Sequence, residues 1–179
     1  MNTTLLRQEV RNTTPTRPKL LVPIDFTRDC LQALAYAANA AKALSAQVTM
    51  LAVLDVNCPT PPTGPVNESR LLASLRNEAA AKLAFLEQTY GRFVSIDSVV
   101  QIGRPNKVIT EFAAEGGYEA IFMAKHFRGW FHRFCSKHTV ERVVEKAPCA
   151  VQVLSPAMLR TERNLQPLLA ARGLALNQA

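Results

Sequence analysis

All three histidines of the 179-residue chain lie in one short stretch, MAKHFRGWFHRFCSKHT, which covers residues 123–139. Histidine together with the single cysteine of this stretch can form a set of metal ligands, basic side chains can bind anions, and aromatic side chains can pack or dock. The basic and aromatic members are Lys125, Arg128, Arg133, Lys137, Phe127, Trp130, Phe131 and Phe134. The spacing of these residues distinguishes the three kinds of chemistry.

The pattern His132-x-x-Cys135-x-x-His138 does not favour a metal site. On a helix, six residues turn through about 600°, so these three side chains do not converge on one ion. The sequence also offers no evident fourth ligand of the kind that a tetrahedral zinc site needs. We therefore predict that the chain binds no metal.

The aromatic residues of the stretch have the spacing of one stripe along a helix, at i, i+3, i+4 and i+7: Phe127, Trp130, Phe131 and Phe134. Two interpretations stay open. The stripe packs onto the protein's own core or onto a second copy. Alternatively, it docks together with Arg128 and Arg133 onto a partner or an anionic membrane surface. Nucleic acid is a minor alternative, because the sequence contains no known reader motif.

The composition is that of a globular protein with a basic surface. Hydrophobic residues make up 48% of the chain, charged residues make up 20%, and the formal net charge is +7. The four cysteines are scattered without a C-x-x-C pattern, which is typical of reduced thiols in the cytoplasm. The N-terminal residues lack the apolar run of a secretory signal, and no stretch approaches the roughly 20 apolar residues that span a bilayer. We therefore expect a cytoplasmic protein.

The hydrophobic pattern predicts an alternating series of strands and helices. Nearly uniform apolar runs such as QVTMLAVLDV predict strands that are buried on both faces, and residues 68–91 repeat apolar residues at the helical period. Thr27 is suited to cap the first helix, Pro105 fits the first turn of the third helix, and Gly116 with Gly117 can end that helix.

The resulting order, β-α-β-α-β-α-β-α-β, predicts one α/β domain with helices on both faces of its sheet. We place this domain at residues 19–156. The polar, threonine-rich residues 1–18 are predicted to form a flexible arm, and residues 157–179 a tail that is either a short helix or loose.

Three stretches, in this order, resemble the universal stress protein family: Val22–Asp25, the G-x-P-x-x-x-I pattern at Gly103–Ile109, and VERVVEKAPCAVQVL at residues 140–154. The resemblance extends from about Lys19 to Ser155. It implies a Rossmann-like sheet of five parallel strands in the order 3-2-1-4-5, with a ligand crevice between the first and fourth strands. It also implies that certain residues match those surrounding the adenosine in nucleotide-binding members: Pro23, Asp25, Val53 and Met123.

In those members a loop of pattern G-x-x-G-x9-G-[ST] holds the phosphates, and this chain departs from it at every key position. Ala124, Phe127 and Lys137 replace the glycines, and His138 replaces the hydroxyl residue. Glycines let backbone N–H groups approach phosphate closely, which bulky side chains prevent. We predict no tight ATP binding and no resident cofactor. The alternative is a nucleotide switch in which basic side chains hold ATP or AMP by charge: Lys125, Arg128, Lys137 and His138.

The last predicted strand lies at an edge of the sheet, and an apolar edge favours pairing with another strand. The resemblance implies that a second copy pairs there; the alternative is that the tail covers the edge. The predicted dimer residues are Cys149, Ala150, Val151, Gln152, Val153 and Leu154.

The sequence contains no nucleophile elbow, Walker loop or zinc-protease motif, so we predict no enzymatic activity. Together with the resemblance, this predicts a stress-response regulator that forms a homodimer and acts through contacts with a protein partner. A second alternative is an adaptor that binds an anionic membrane or nucleic acid through the basic and aromatic residues 125–138.

Overall fold

The computed structural model describes residues 17–55, 68–125 and 138–155, and these residues form one parallel sheet with helices on both faces. The elements are β1 (Lys19–Ile24), α1 (Arg28–Leu44), β2 (Gln47–Leu54), α2 (Glu68–Tyr90), β3 (Ser95–Ile102), α3 (Pro105–Gly116), β4 (Ala120–Ala124), α4 (Thr139–Lys146) and β5 (Ala150–Leu154). The strand order is β3-β2-β1-β4-β5, and every neighbouring pair is parallel. The predicted fold class and strand order are therefore confirmed.

The sheet is covered on both faces, as parallel sheets require. Leu34 of α1 and Leu83 of α2 belong to one hydrophobic cluster, and Ile109 of α3 and Val143 of α4 belong to the other. Leu21 of β1 lies in the second cluster, whereas both of its chain neighbours lie in the first. This alternation defines an α1–α2 face and an α3–α4 face of the sheet.

The helix ends lie where the sequence predicts them. Thr27 caps α1, because its hydroxyl accepts a hydrogen bond from the Cys30 amide at 3.4 Å. Pro105 is the first residue of α3, where a missing N–H costs nothing. Gly117 ends α3 in the left-handed conformation, with φ of 63°, and its amide donates to the Ala113 carbonyl.

Within the described residues, no helix is both long and apolar enough to cross a membrane. The predicted arm, apart from residues 17 and 18, lies outside the described residues, and so do residues 56–67, residues 126–137 and the predicted tail.

Candidate functional site

The carboxyl ends of β1 and β4 form the topological switch point of the sheet. The chain leaves β1 toward β2 on one side, and β4 is the neighbour of β1 on the other side. In open α/β sheets this divergence leaves a crevice beyond the strand ends, where ligands bind. Of the residues predicted to contact adenosine, Pro23, Asp25, Val53 and Met123 are described by the structure, and they lie near the carboxyl ends of β1, β2 and β4.

Three of the four predicted adenosine-contacting residues share the α3–α4 face near the carboxyl ends of their strands. Pro23 is buried and is paired in register with Leu51, and Val53 follows Leu51 by two residues on the same strand. Leu51, Val53 and Met123 belong to the same hydrophobic cluster, and Met123 is completely buried. The fold therefore brings residues from three strands to one side of the sheet.

Asp25, the fourth predicted residue, follows β1 directly and is only 3% exposed. Its Oδ1 atom accepts hydrogen bonds from the Thr27 amide at 3.0 Å and from the Thr27 hydroxyl at 2.6 Å. Because Thr27 also caps α1, the carboxylate is tied to the start of that helix. From the sequence, Thr27 is expected only to cap α1, although the Asp-x-Thr spacing is also typical of such a local turn.

Phe26, between these two residues, has a left-handed backbone with φ of 60°. This conformation is uncommon for a bulky residue and requires support from its surroundings. The ring is buried in the α1–α2 cluster, and the Lys82 ammonium lies 5.5 Å from its centroid. Lys82 also forms a 2.8 Å ion pair with Glu78. Neither Phe26 nor Lys82 was identified from the sequence, because no local pattern links a loop residue to a distant helix.

Cys30 lies beneath the same loop and is fully buried, with its Sγ atom donating to the Pro23 carbonyl at 3.1 Å. Burial raises the pKa of this thiol well above its usual value, and the nearby Asp25 carboxylate raises it further. Partial burial also raises the pKa of Cys149. Thiolate is the reactive form of cysteine, so the geometry favours a structural role for Cys30.

A glycine turn joins β3 to α3 at the same end of the sheet. The Gly103 amide donates to the Leu54 carbonyl at 2.9 Å, and its φ is 146°. A Cβ atom at this position would lie 2.8 Å from Cγ2 of Val108. Glycine is therefore required both by the backbone conformation and by the close approach of α3. The turn places the N-terminus of α3 beside the end of β2.

The other end of the crevice begins at β4. Ala124 is completely buried, on the α1–α2 face, whereas Lys125 is exposed and its amide donates to the Leu154 carbonyl at 2.9 Å. His138 is exposed just before α4 and makes no capping hydrogen bond with its side chain. The intervening residues that the sequence singles out lie outside the described residues: Phe127, Arg128, Trp130, Phe131, His132, Arg133, Phe134, Cys135 and Lys137.

The predicted dimer strand is β5. Its side chains alternate: Val151 and Val153 are half-buried on the α3–α4 face, whereas Ala150 and Gln152 are exposed on the other. Leu154 is completely buried. Among the described strands, β5 pairs only with β4, and its other edge pairs with none of them.

Comparison with known proteins supports a single family. Residues 16–155 match the universal stress protein family. The universal stress protein MJ0531 of Methanocaldococcus jannaschii is 29% identical over 156 residues, which cover 84% of this chain and 89% of that protein. The solved structure of UspA from Lactobacillus plantarum gives a TM-score of 0.66 at 24% identity, over 78% of this chain and 99% of that chain. The solved structure of a family member from Burkholderia pseudomallei gives a TM-score of 0.59 at 22% identity, over 76% of this chain and 94% of that chain. The chain therefore belongs to the universal stress protein family of stress-response proteins.

Proposed function

We propose that this protein is a stress-response regulator that acts through protein contacts, first of all with a second copy of itself, and that does not bind ATP tightly. The observation that carries the proposal is the edge of β5. Within the described residues this edge is unpaired, and it is flanked by apolar side chains. An exposed apolar edge strand is a template for pairing with another chain.

The backbone of β5 is oriented for such pairing. The Leu154 carbonyl accepts from the Lys125 amide, so it points toward β4. Successive residues of a strand direct their backbone groups to opposite sides, and Val153 and Val151 therefore direct theirs to the outer edge. Val144 lies on α4, a helix that contacts β5, and is 51% exposed, and Cys149 just before β5 is half-buried. The apolar flank supports burial of the edge by a partner.

The departure from the glycine loop supports the second part of the proposal. The family's phosphate loop depends on bare backbone, and this chain has Phe127 and Lys137 at two of the glycine positions. His138 stands at the hydroxyl position, immediately before α4. Phosphate held by flexible side chains is less preorganised than phosphate held by backbone amides.

The assembly can be tested by light scattering after size-exclusion chromatography. We expect a dimer, and we expect Val144→Arg to weaken it because Val144 is an exposed apolar residue on α4, a helix that contacts β5. Val153→Pro removes an outward backbone donor and tests the edge itself. Ile102→Arg, at the exposed end of β3, is the matched control and should leave the dimer intact. A monomeric wild-type chain would contradict the homodimer.

The nucleotide part is tested by thermal shift. We expect millimolar ATP, ADP and AMP to leave the melting temperature unchanged and no nucleotide to copurify with the protein. A clear rise with ATP that is lost in Asp25→Ala would contradict the proposal.

A second candidate is a nucleotide switch for ligands with a single phosphate. It is favoured because Asp25 directly follows β1 and is therefore close to Pro23, Val53 and Met123, which share the α3–α4 face of the sheet. One structurally similar universal stress protein was solved in complex with cAMP, and another, from Archaeoglobus fulgidus, in complex with dAMP. This candidate predicts a thermal shift with AMP but not with ATP, and loss of that shift in Asp25→Ala.

A third candidate is an adaptor for an anionic surface. Residues 126–137 contain three basic residues and no acidic residue, and the segment starts beside the end of β5. This candidate predicts binding to vesicles of anionic lipid or to oligonucleotides that weakens as salt rises. Binding that Lys125→Glu/Arg128→Glu left unchanged would contradict it.

A further inference from the structure

The outer side of β3 is the other edge of the sheet, opposite to β5. β3 pairs in register with β2 along its whole length, and it pairs with no other strand of the described residues. It has eight residues, whereas β5 has five. All eight side chains are exposed or half-buried. Within the described part of the chain, the longer of the two sheet edges is therefore unpaired.

The backbone of β3 presents hydrogen-bonding groups at this edge. The Gly103 amide donates to the Leu54 carbonyl, so Gly103 directs its backbone toward β2. Successive residues of a strand direct their backbone groups to opposite sides. The amides and carbonyls that point outward therefore belong to the even-numbered residues of β3: Ile96, Ser98, Val100 and Ile102.

The sequence of β3 has few of the features that protect an edge strand from pairing. The strand SIDSVVQI contains neither proline nor lysine, and its pairing with β2 runs without a bulge. Four of its eight residues are valine or isoleucine, which favour the extended conformation. Its single charged residue is Asp97, which is exposed. The edge is thus suited to accept a further strand.

The two faces of β3 define which side chains such a strand would carry. Ile96 and Val100 pack against the α1–α2 cluster, whereas Val99 packs against the α3–α4 cluster, so Asp97 lies on the α3–α4 face. Side chains of paired strands contact neighbours on the same face. Apolar side chains therefore suit the first face, and polar ones suit the second.

Asp97 selects the charge of the added strand. The Gln47 side chain donates to one oxygen of this carboxylate and so holds it in place. A carboxylate has several acceptor positions, so Asp97 can also accept from a lysine or arginine on the neighbouring strand. The chain as a whole carries a formal net charge of +7, so this attraction is local to Asp97.

A second copy of β3 does not fit this edge. α2 packs against β3 more than against β2, so it lies close to the edge. Paired strands are about 4.8 Å apart, and a two-fold β3–β3 pair would bring two α2 helices to a similar spacing. Packed helices need about 8–10 Å between their axes. An extended segment of another protein brings no such helix.

We propose that the β3 edge binds an extended segment of a partner protein as an added strand, in which apolar side chains alternate with polar ones and a lysine or arginine lies beside Asp97. The inference rests on the proposed action through protein contacts, but not on the β5 dimer. Light scattering tests the dimer and peptide binding tests the β3 edge, so each can fail while the other holds.

The probe is a short fluorescent peptide that alternates valine with threonine and carries one central lysine. The matched peptide has glutamate in place of the lysine, and fluorescence anisotropy measures the binding of both to the full-length chain. We expect the lysine peptide to bind about three-fold or more tightly than the glutamate peptide, and Asp97→Lys to reverse this preference. Glu115→Lys, at an exposed position of α3, makes the same change of charge and should retain the preference for lysine.

Hydrogen exchange identifies the edge that the peptide occupies. With the lysine peptide bound, the amides of Ser98 and Val100 should exchange about ten-fold more slowly, while those of β5 stay unchanged. Val100→Pro removes an outward donor and should abolish binding, and circular dichroism checks that this variant is folded. Absence of binding, equal affinity for the two peptides, or protection of β5 instead of β3 would overturn the proposal. So would assembly beyond a dimer that Asp97→Lys abolishes, because that result assigns the edge to a second copy.

Discussion

The Thr27 hydroxyl lies 2.6 Å from Oδ1 of Asp25 and at the same time caps α1. One side chain thus connects the buried acid at the crevice with the first turn of a helix. We expect Thr27→Val to lower the free energy of unfolding by about 1–3 kcal/mol, because it removes both hydrogen bonds of the hydroxyl.

Urea unfolding followed by circular dichroism measures this change. Thr27→Ser is the matched control, because it keeps the hydroxyl and should retain most of the stability. A valine variant as stable as the serine variant would show that the hydroxyl contributes nothing.

The second prediction concerns Gly103. Alanine at this position faces both a φ of 146° and a Cβ contact of 2.8 Å with Val108. We expect Gly103→Ala to lower the free energy of unfolding by about 1–3 kcal/mol, and more than Gly117→Ala does. Gly117 also has positive φ, but a Cβ atom there would meet nothing within 4 Å.

The contact can be separated from the backbone strain by a cycle with Val108→Ala. If the contact with Val108 contributes, Gly103→Ala should lower the free energy of unfolding by less in the Val108→Ala background than in the wild type. If Gly103→Ala and Gly117→Ala lowered the free energy of unfolding equally, that result would argue against the close approach of α3.

The third prediction is a loss of stability at alkaline pH that depends on Tyr90. Burial raises the pKa of Tyr90 from 10.0 to about 12. Because the folded state favours the protonated phenol, this contribution is complete below pH 10 and is lost as the pH rises from 10 toward 12. Over that range the wild type should lose about 1–3 kcal/mol relative to Tyr90→Phe.

Urea unfolding of both chains at several pH values between 8 and 12 measures the difference. Burial also raises the pKa of Tyr118, so the wild type should likewise lose stability relative to Tyr118→Phe as the pH rises. A constant difference between Tyr90→Phe and the wild type across the range would contradict the assignment.

The fourth prediction concerns the thiol beneath the crevice loop. Cys30 is fully buried and its pKa is raised by that burial, so little of it is accessible as thiolate near neutral pH. We expect maleimide to modify Cys30 at least about a hundred-fold more slowly in the native chain than in urea, since labelling requires opening of the core. Peptide mass spectrometry resolves Cys30 from the other cysteines, and equal rates in both conditions would contradict its burial.

Local signals were sufficient for most of the fold. Thr27, Pro105 and Gly117 mark helix ends through hydrogen bonds and dihedral preferences that involve only a few neighbouring residues. The apolar run of β2 predicts a strand covered on both faces, and both faces are covered. The resemblance implied the strand order, which the structure confirms.

The candidate site was predictable only in part. The sequence placed Pro23, Asp25, Val53 and Met123 around one crevice by resemblance, and their role there stays a prediction. It did not indicate that Phe26 adopts a left-handed backbone, because aromatic residues rarely do. The Phe26 ring is buried in the α1–α2 cluster and lies near Lys82 of α2, and contacts so distant in sequence have no local signature.

The sequence by itself determined which segments become strands and helices and which of their faces are apolar, since periodicity and capping act over one or two turns. Only the tertiary structure decided which apolar residues remain uncovered. Leu44 and Phe93 are large apolar residues of the kind that fill a core, yet both are exposed. They lie at the turns that follow α1 and α2. Burial depends on which elements meet in space, and that is settled by packing across the whole sheet.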